Sequence, residues 1–309
     1  MHRYFIRRIL LLIPVLLSVS FVIFGLMALA PGDPGTAILG PTATPESIRE
    51  FNNRVGFYDP FFIRYGNFLS GIARLDFGDS YVSKEPVVIE IAARIPTTLK
   101  IAGYATLFAV VVGIPLGVLS AVKQYSVVDS IARVLSIAMA AVPFFWLGLM
   151  MIFIFSLKLR LLPSFGAVSW KHFVLPTFSL GISYAARQLR MARSCMLETL
   201  QQNYIRTSRA KGAREQTVIW RHAFKNALLP IITMIGMNFG GLLGGAILTE
   251  SVFSMPGLGT YLITSIRAKD VPAVLGVSVI LAAMFCFVML IVDMLYAIID
   301  PRIKARFAQ

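Results

Sequence analysis

Residues of the types and spacing that catalysis needs are scarce in this chain. The three histidines, His2, His172 and His222, lie in unrelated segments, and Cys195 and Cys286 fall on different elements. The sequence has no His-Glu-x-x-His or Cys-x-x-Cys pattern, no Gly-x-Ser-x-Gly turn and no Gly-x-x-x-x-Gly-Lys-Ser/Thr loop. We therefore expect no catalytic residue, metal, cofactor or disulfide. We also expect no phosphate-binding loop with which the chain could use ATP itself.

The densest group of charged side chains lies in residues 187–226, which carry nine Lys and Arg. Helical patterning continues to Lys211, and Gly212 then predicts a helix end, with Arg209 in the last turn favourable to the helix dipole. A helical period resumes at Val218, so the segment predicts a helix, a sharp turn and a second helix. We interpret it as a partner-docking elbow, because aromatic side chains follow the turn. The alternative is a solvated basic loop held near anionic lipid.

The elements that position this segment are apolar. Of 309 residues, 57% are hydrophobic and 14% charged, which is typical of a membrane protein. Each span needs about 20 apolar residues. Candidate runs cover residues 9–30, 97–122, 134–157, 173–192, 227–249 and 274–298. The first is too long for a cleavable signal peptide, so we expect it to be retained.

The positions of the charges favour six spans with both termini inside. In that arrangement the inside segments carry 17 of the 29 Lys and Arg, and the two short outside loops carry five. The fourth run is weak because Arg187 and Arg190 lie in it. Without it, the basic segment 187–226 would lie outside, so we retain the span and expect both arginines to reach the inner headgroups. The net charge of +14 therefore indicates membrane orientation and not a nucleic-acid partner.

The segment between the first two runs, residues 31–96, is a polar insert on the outside. Thr44-Pro45 predicts a helix start. Apolar side chains at three- and four-residue spacing over residues 61–75 predict an amphipathic helix. This helix could lie on the membrane surface, under a docking partner, or against the insert's own helices.

Five candidate pathway or interface residues lie in the fifth and sixth runs or, for Glu250, directly after the fifth. Gly236, Gly240 and Gly244 lie four apart, so they share one helix face and allow close helix approach. They could line the pathway or pack within the chain. Glu250 could cap a helix, pair with a partner chain or face the pathway. Asp293 is a functional candidate because an isolated buried carboxylate is costly, although it could instead reach the inner interface.

A set of short motifs, in order along the whole chain, resembles the permease subunits of ABC importers for dipeptides, oligopeptides and nickel. The matching segments are Pro31–Pro34, Gly56–Pro60, Asp76–Gly78, Thr97–Leu99, Gly113–Gly117, Tyr204–Gly212, Arg221–Pro230, Glu250 with Pro256–Gly259, and Asp300–Arg302. Each motif alone is weak, but the ordered set is specific.

The resemblance implies an all-α integral membrane protein of the type I importer permease fold, multi-pass in the bacterial inner membrane. It implies a second related permease in a heterodimer, two cytoplasmic ATP-binding subunits that hold ATP and Mg, and an external substrate-binding protein. It also implies that the elbow is the coupling helix seated in an ATPase groove. The implied coupling residues are Arg206, Thr207, Ser208, Arg209, Ala210, Lys211, Gly212 and Ala213. The usual Glu-Ala-Ala of the general motif is replaced by Arg206-Thr207-Ser208, so the glutamate's contact is not carried over.

The expected division has an N-terminal tail and first helix (1–30), the insert (31–96), a permease core (97–298) with cytoplasmic coupling segment 193–226, and a C-terminal tail (299–309). The expected cargo is a peptide, with nickel or a metal–chelator complex as the alternative. Other classes left open are a self-sufficient secondary carrier and a membrane scaffold. A secondary carrier usually needs more ionisable residues at mid-membrane depth than this chain has.

Overall fold

The computed structural model describes the backbone of residues 2–299 and the side chains of residues 10–295. In chain order its helices are α1 (His2–Leu29), α2 (Pro34–Leu39), α3 (Pro45–Arg54), α4 (Phe61–Ile72), α5 (Val87–Val122), α6 (Val127–Ala141), α7 (Phe144–Met151), α8 (Lys171–Leu200), α9 (Asn203–Ala210), α10 (Glu215–Thr217), α11 (Lys225–Val252), α12 (Leu258–Arg267) and α13 (Val271–Ile299). Within the described residues the extended pairing is limited to a bridge between Asp79 and Pro86. The all-helical class is therefore confirmed.

Two π-helical segments widen the helical path. Ile152–Lys158 continues α7, and Val218–Phe224 joins α10 to α11. The predicted C-terminal tail covers residues 299–309. Its residues from 300 on lie outside the described part of the chain.

Four helical stretches in the described part are long and apolar enough to cross a membrane. They are Leu10–Leu29, Val87–Val122, Glu215–Val252 and Val271–Leu295. The pair α6 and Phe144–Lys158 makes a fifth candidate if it is taken as one broken span. Helix α8, which contains the predicted fourth span, is not among these helices, so six spans stay a prediction.

The third predicted span, residues 134–157, is not a continuous helix. It breaks at Val142–Pro143, and its two halves meet at 90°. Proline disfavours the helical conformation of the residue before it, and Val142 has an extended ψ of 124°. The predicted apolar run is therefore present as a broken helix, and the count of apolar residues did not reveal the break.

Helix ends follow local signals. Thr44 accepts a hydrogen bond from the Ser47 amide, with Pro45 in the first turn of α3, as the sequence predicts. Helix α5 begins at Val87, ten residues before the predicted span, so the end of the insert is already helical.

The chain divides into two compact units. One comprises Met1–Thr98 and Pro256–Phe287, and the other Leu99–Met255 and Val288–Gln309. The first has an apolar core that includes Phe77, Val87 and Leu258. In the second, α8 packs against α6, α7 and α11. Its apolar cluster lies where α5, α8, α9 and the start of α11 meet.

Candidate coupling elbow and pathway residues

The elbow turns sharply at Gly212. Helix α9 ends at Ala210, and Gly212 has a positive φ of +77°. The amides of Gly212 and Ala213 donate to the carbonyls of Arg209 (2.9 Å) and Ser208 (3.3 Å), which satisfies the end of the helix. Side chains other than glycine rarely adopt this backbone conformation, so the glycine is required by the turn itself.

An ion pair closes the turn from one side to the other. Arg209 donates to Glu215 through Nε (3.1 Å) and Nη2 (2.6 Å). Both side chains are about half exposed, so the pair fixes geometry more than it adds stability. The bond with Glu215 raises the pKa of Arg209. The sequence analysis did not identify Glu215, which lies three residues after the helix-ending glycine and six after Arg209.

The elbow has an exposed cationic surface on an apolar base. Ser208 and Ala213 are half-buried, and Ile205 is fully buried in a cluster with Val218 and Ala223. The other predicted coupling residues, Arg206, Thr207, Arg209, Ala210, Lys211 and Gly212, are exposed. This arrangement exposes positive charge at the surface while the apolar side chains hold the elbow to the helices behind it.

A buried ion pair joins the base of the elbow to the α5–α6 turn. Arg193 on α8 donates to both carboxylate oxygens of Asp129, from Nε at 2.7 Å and from Nη2 at 3.0 Å. The Ser120 hydroxyl (2.6 Å) and the Tyr125 amide (3.1 Å) also donate to this carboxylate, which is fully buried. Sequence reasoning missed this cluster, because its members are up to 73 residues apart.

Helices α5 and α8 approach closely beside this ion pair. A Cβ placed on Gly113 would lie 2.6 Å from the carbonyl oxygen of Ala185, and one on Gly117 would lie 2.5 Å from that of Leu189. The two backbones are therefore nearly in contact. Together with the ion pair, this contact fixes the middle of α8 against α5, in the helix that leads into the elbow.

The predicted glycine face of α11 has different surroundings along its length. Gly236 packs against Val292 of α13, with no room for a Cβ. Gly240 is half-buried, whereas Gly244 is exposed and has no atom within 4 Å of the place a Cβ would take. The neighbouring Gly241 instead accommodates the Tyr184 hydroxyl of α8.

The two acidic candidates lie in different environments. Glu250 is fully buried near the end of α11, and its backbone carbonyl accepts from the Met255 amide at 2.8 Å. Asp293 on α13 is half-buried. The described side chains contain no cluster of three His, Cys, Asp or Glu that could hold a metal.

A polar cavity of about 290 Å³ lies beside the elbow. It is lined by Cys195, Glu198, Thr199, Gln202, Tyr204, Asn226, Ala227 and Pro230. The sequence analysis did not predict it, since its lining comes from α8, α9 and α11 together.

Comparison with known protein families identifies the chain as a transport component. Residues 113–305 match the family of binding-protein-dependent transport system inner membrane components. Residues 1–102 match the N-terminal region of such membrane components.

Two relatives match nearly end to end. The dipeptide transport system permease protein DppB of Alkalihalophilus pseudofirmus is 38% identical, over 98% of this chain and 100% of the relative. The glutathione transport system permease protein GsiC of Escherichia coli K12 is 37% identical, over 98% of this chain and 99% of the relative.

Solved structures share the fold. An inward-facing form of the MetNI methionine ABC transporter matches with a TM-score of 0.53 and 18% identity, over 68% of this chain and 96% of that one. An amino acid ABC transporter solved with histidines gives a TM-score of 0.52 and 16% identity, over 76% and 98%. The chain therefore belongs to the family of binding-protein-dependent transport system inner membrane components, the permeases of bacterial ABC importers.

Proposed function

We propose that this permease forms half of a translocation pathway for di- or oligopeptides. The named relatives serve dipeptide and glutathione transport, which favours a peptide over nickel or a metal chelate. In this proposal a second, homologous permease completes the pathway, and an external binding protein delivers the peptide. Two cytoplasmic subunits bind ATP and Mg and supply the energy.

The proposed topology has six spans with both termini in the cytoplasm, with α8 as the fourth. It rests on the charge asymmetry, because 17 of the 29 Lys and Arg fall on the inside in this arrangement. The divisions 1–30, 31–96, 97–298 and 299–309 follow from it, with segment 193–226 in the cytoplasm.

The proposed coupling site is the elbow Arg206–Ala213, seated against an ATPase subunit. The observation that carries this proposal is an exposed, cationic and internally bonded turn, preceded by a helix, α8, whose middle is held to α5. Closure of the ATPases on ATP would move the elbow, and α8 would move with it as a rigid body.

The test compares two glycines that both have a positive φ at the end of a helix. Gly212 (φ +77°) and Gly40 (φ +82°) both have open space around the Cβ position, and both donate an amide hydrogen bond at a helix end. Proline fixes φ near −65° and removes the donor, so Gly212→Pro should abolish ATPase stimulation by the binding protein. Gly40→Pro, in the external insert, should keep at least half of it.

Ala210→Glu tests the charge of the same surface without changing the turn. It should also reduce stimulation, because it places an acidic group on an exposed cationic face. ATPase activity and peptide uptake would be measured in the assembled complex. Unchanged stimulation and uptake in Gly212→Pro would remove the elbow from the mechanism.

A further inference from the structure

One line along α8 differs in chemistry from the outward faces of the apolar helices. Its exposed residues are Arg187, Arg190, Ser194 and Glu198, at helical spacings of three and four. The exposed side chains of α1 include Leu10, Leu11, Ile13, Phe21, Val22 and Leu26. Acyl chains suit the surface of α1, whereas the line on α8 requires water or a polar partner.

The position of Arg187 along α8 strengthens this requirement for water or a polar partner. It lies sixteen residues into α8, about 24 Å from the first residue at 1.5 Å per residue. If α8 spans, Arg187 is inside or at the inner edge of a hydrocarbon core about 30 Å thick. A charged residue there is costly in lipid and marks a solute pathway by default.

The three arginines on this part of α8 have different partners. Arg193 is bound to Asp129, and Nη1 of Arg190 donates to the Ser136 carbonyl at 3.2 Å. The Arg187 guanidinium lies over the Tyr184 ring, 4.9 Å from its centroid, and no carboxylate of the described residues pairs with it. Tyr184 orients the guanidinium by stacking and by a side-chain hydrogen bond, and the other N–H donors of Arg187 stay available.

The line ends at the polar cavity beside the elbow, since Glu198 belongs to both. Arg187 and Glu198 are eleven residues apart, about 16 Å along the helix. The charge therefore changes sign along the line, from a cation at the membrane end to an anion at the cavity end. A zwitterionic chain is complementary to this order when its carboxylate meets Arg187 and its amino end points towards Glu198.

We propose that this face of α8 lines the inner part of the pathway, and that Arg187 binds the terminal carboxylate of the passing peptide. The proposal rests on the peptide function above and adds a specific contact to it. A guanidinium suits a carboxylate because it can donate two parallel hydrogen bonds. The contact is weak enough for release, since it forms in a water-filled passage and is not buried.

The test uses a reporter two turns along the same face. Ser194 is exposed and seven residues from Arg187, about 10 Å away. An extended tripeptide bound at Arg187 reaches this distance at about 3.3 Å per residue. Ser194→Cys is made in the assembled, nucleotide-free complex in nanodiscs, without the binding protein. Modification of the introduced thiol by neutral N-ethylmaleimide is followed by mass spectrometry.

Trialanine at millimolar concentration should slow the modification of this thiol, and trialanine amide should not. Arg187→Gln should raise the half-protecting concentration about tenfold, the change expected when one charge-assisted hydrogen bond is lost. Arg187→Lys should keep part of the protection, because lysine retains the positive charge but cannot donate two parallel hydrogen bonds to one carboxylate. Arg133→Gln removes the same charge from an exposed position on α6, away from this line, and should leave protection unchanged.

Equal protection by the amide, or full protection in Arg187→Gln, would overturn the proposal. An introduced thiol that cannot be modified at all would also overturn it, since the face would then be covered by a partner chain. ATP-driven peptide uptake by the Ser194→Cys complex is measured in parallel. If the Ser194→Cys complex takes up peptide but trialanine gives no protection, only the Arg187 contact is refuted. If the complex without any substitution takes up no peptide, the proposed function itself is refuted.

Discussion

Asp129 has the hydrogen-bond partners that a fully buried carboxylate requires. It receives hydrogen bonds from Arg193, from the Ser120 hydroxyl and from the Tyr125 amide, and its own exposure is nil. Removing one partner of a buried pair costs more than the pair contributes, because the remaining charge stays desolvated. The Arg193 bond is therefore expected to stabilise the folded protein.

Arg193→Ala should destabilise the folded permease by about 3 kcal/mol, because it leaves the Asp129 carboxylate buried without its main partner. Arg133 provides the matched control. Its Nε is 3.6 Å from Asp129, but its side chain is 48% exposed, so Arg133→Ala should cost less than about 1 kcal/mol. The thermal midpoint of unfolding of the purified complex measures both. Equal shifts for the two variants would contradict this account.

At the scale of elements, the α5–α8 contact depends on the absence of side chains. Gly113 and Gly117 on α5 face the backbone of α8 so closely that a methyl group at either position would overlap a carbonyl oxygen of α8. Small residues at such a spacing let helices meet where lipid offers no hydrophobic driving force between them. The contact lies in the middle of α8, at Ala185 and Leu189, one turn before the Arg193 ion pair.

Gly117→Ala should separate the two helices and cost about 1–3 kcal/mol, the usual range for overpacking. Gly103→Ala on the same helix has open space around the new methyl group. It should be neutral, or stabilising by up to about 1 kcal/mol, because alanine favours helix. Midpoints of thermal unfolding again decide, and comparable losses in both variants would show that helix propensity and not contact is responsible.

Local signals in the sequence predicted several element boundaries correctly. Thr44-Pro45 begins α3, and the turn at Gly212 follows the end of α9. Each of these depends on a few adjacent residues. The break at Val142–Pro143 had a comparable signal that a count of apolar residues overlooked.

Contacts between distant segments could not be predicted in this way. The Arg193–Asp129 bond joins residues 64 apart, and the polar cavity is lined from three helices. The elbow was placed by its charge and its glycine, but its closure by Arg209 and Glu215 became evident only from the geometry. Periodicity identifies which face of a helix is apolar, and it does not identify the helix that covers this face.

At the scale of the whole molecule, the number of spans depends on α8. Four helical stretches and one bent pair are apolar enough to cross a membrane, and α8 is more polar than these. Its polar line is what lowers its hydropathy, so a pathway-lining role and a weak span signal have the same physical origin. The charge distribution is the independent argument for its crossing.

Cysteines at the two ends of α8 test the topology directly. Val168 is 93% exposed before the helix, and Gln201 is exposed just after it. If α8 crosses the membrane, a membrane-impermeant thiol reagent added to sealed cells should label Val168→Cys and not Gln201→Cys. Permeabilised cells should give labelling at both positions. Labelling of both in sealed cells would place the elbow outside and refute the assigned topology.

The link between α8 and α9 consists of Gln201 and Gln202 alone. A two-residue linker can extend very little, so a displacement of the elbow would also displace the end of α8. Thirty residues at 1.5 Å each make α8 a lever arm about 45 Å long. Arg193, which bonds α8 to Asp129, lies about 10 Å from the elbow end of the helix and about 33 Å from its other end. A tilt of about 10° about this point would move the two ends by roughly 2 Å and 6 Å. In the proposed topology, a small displacement of the elbow by the ATPase would thus become a displacement about three times larger at the far side of the bilayer.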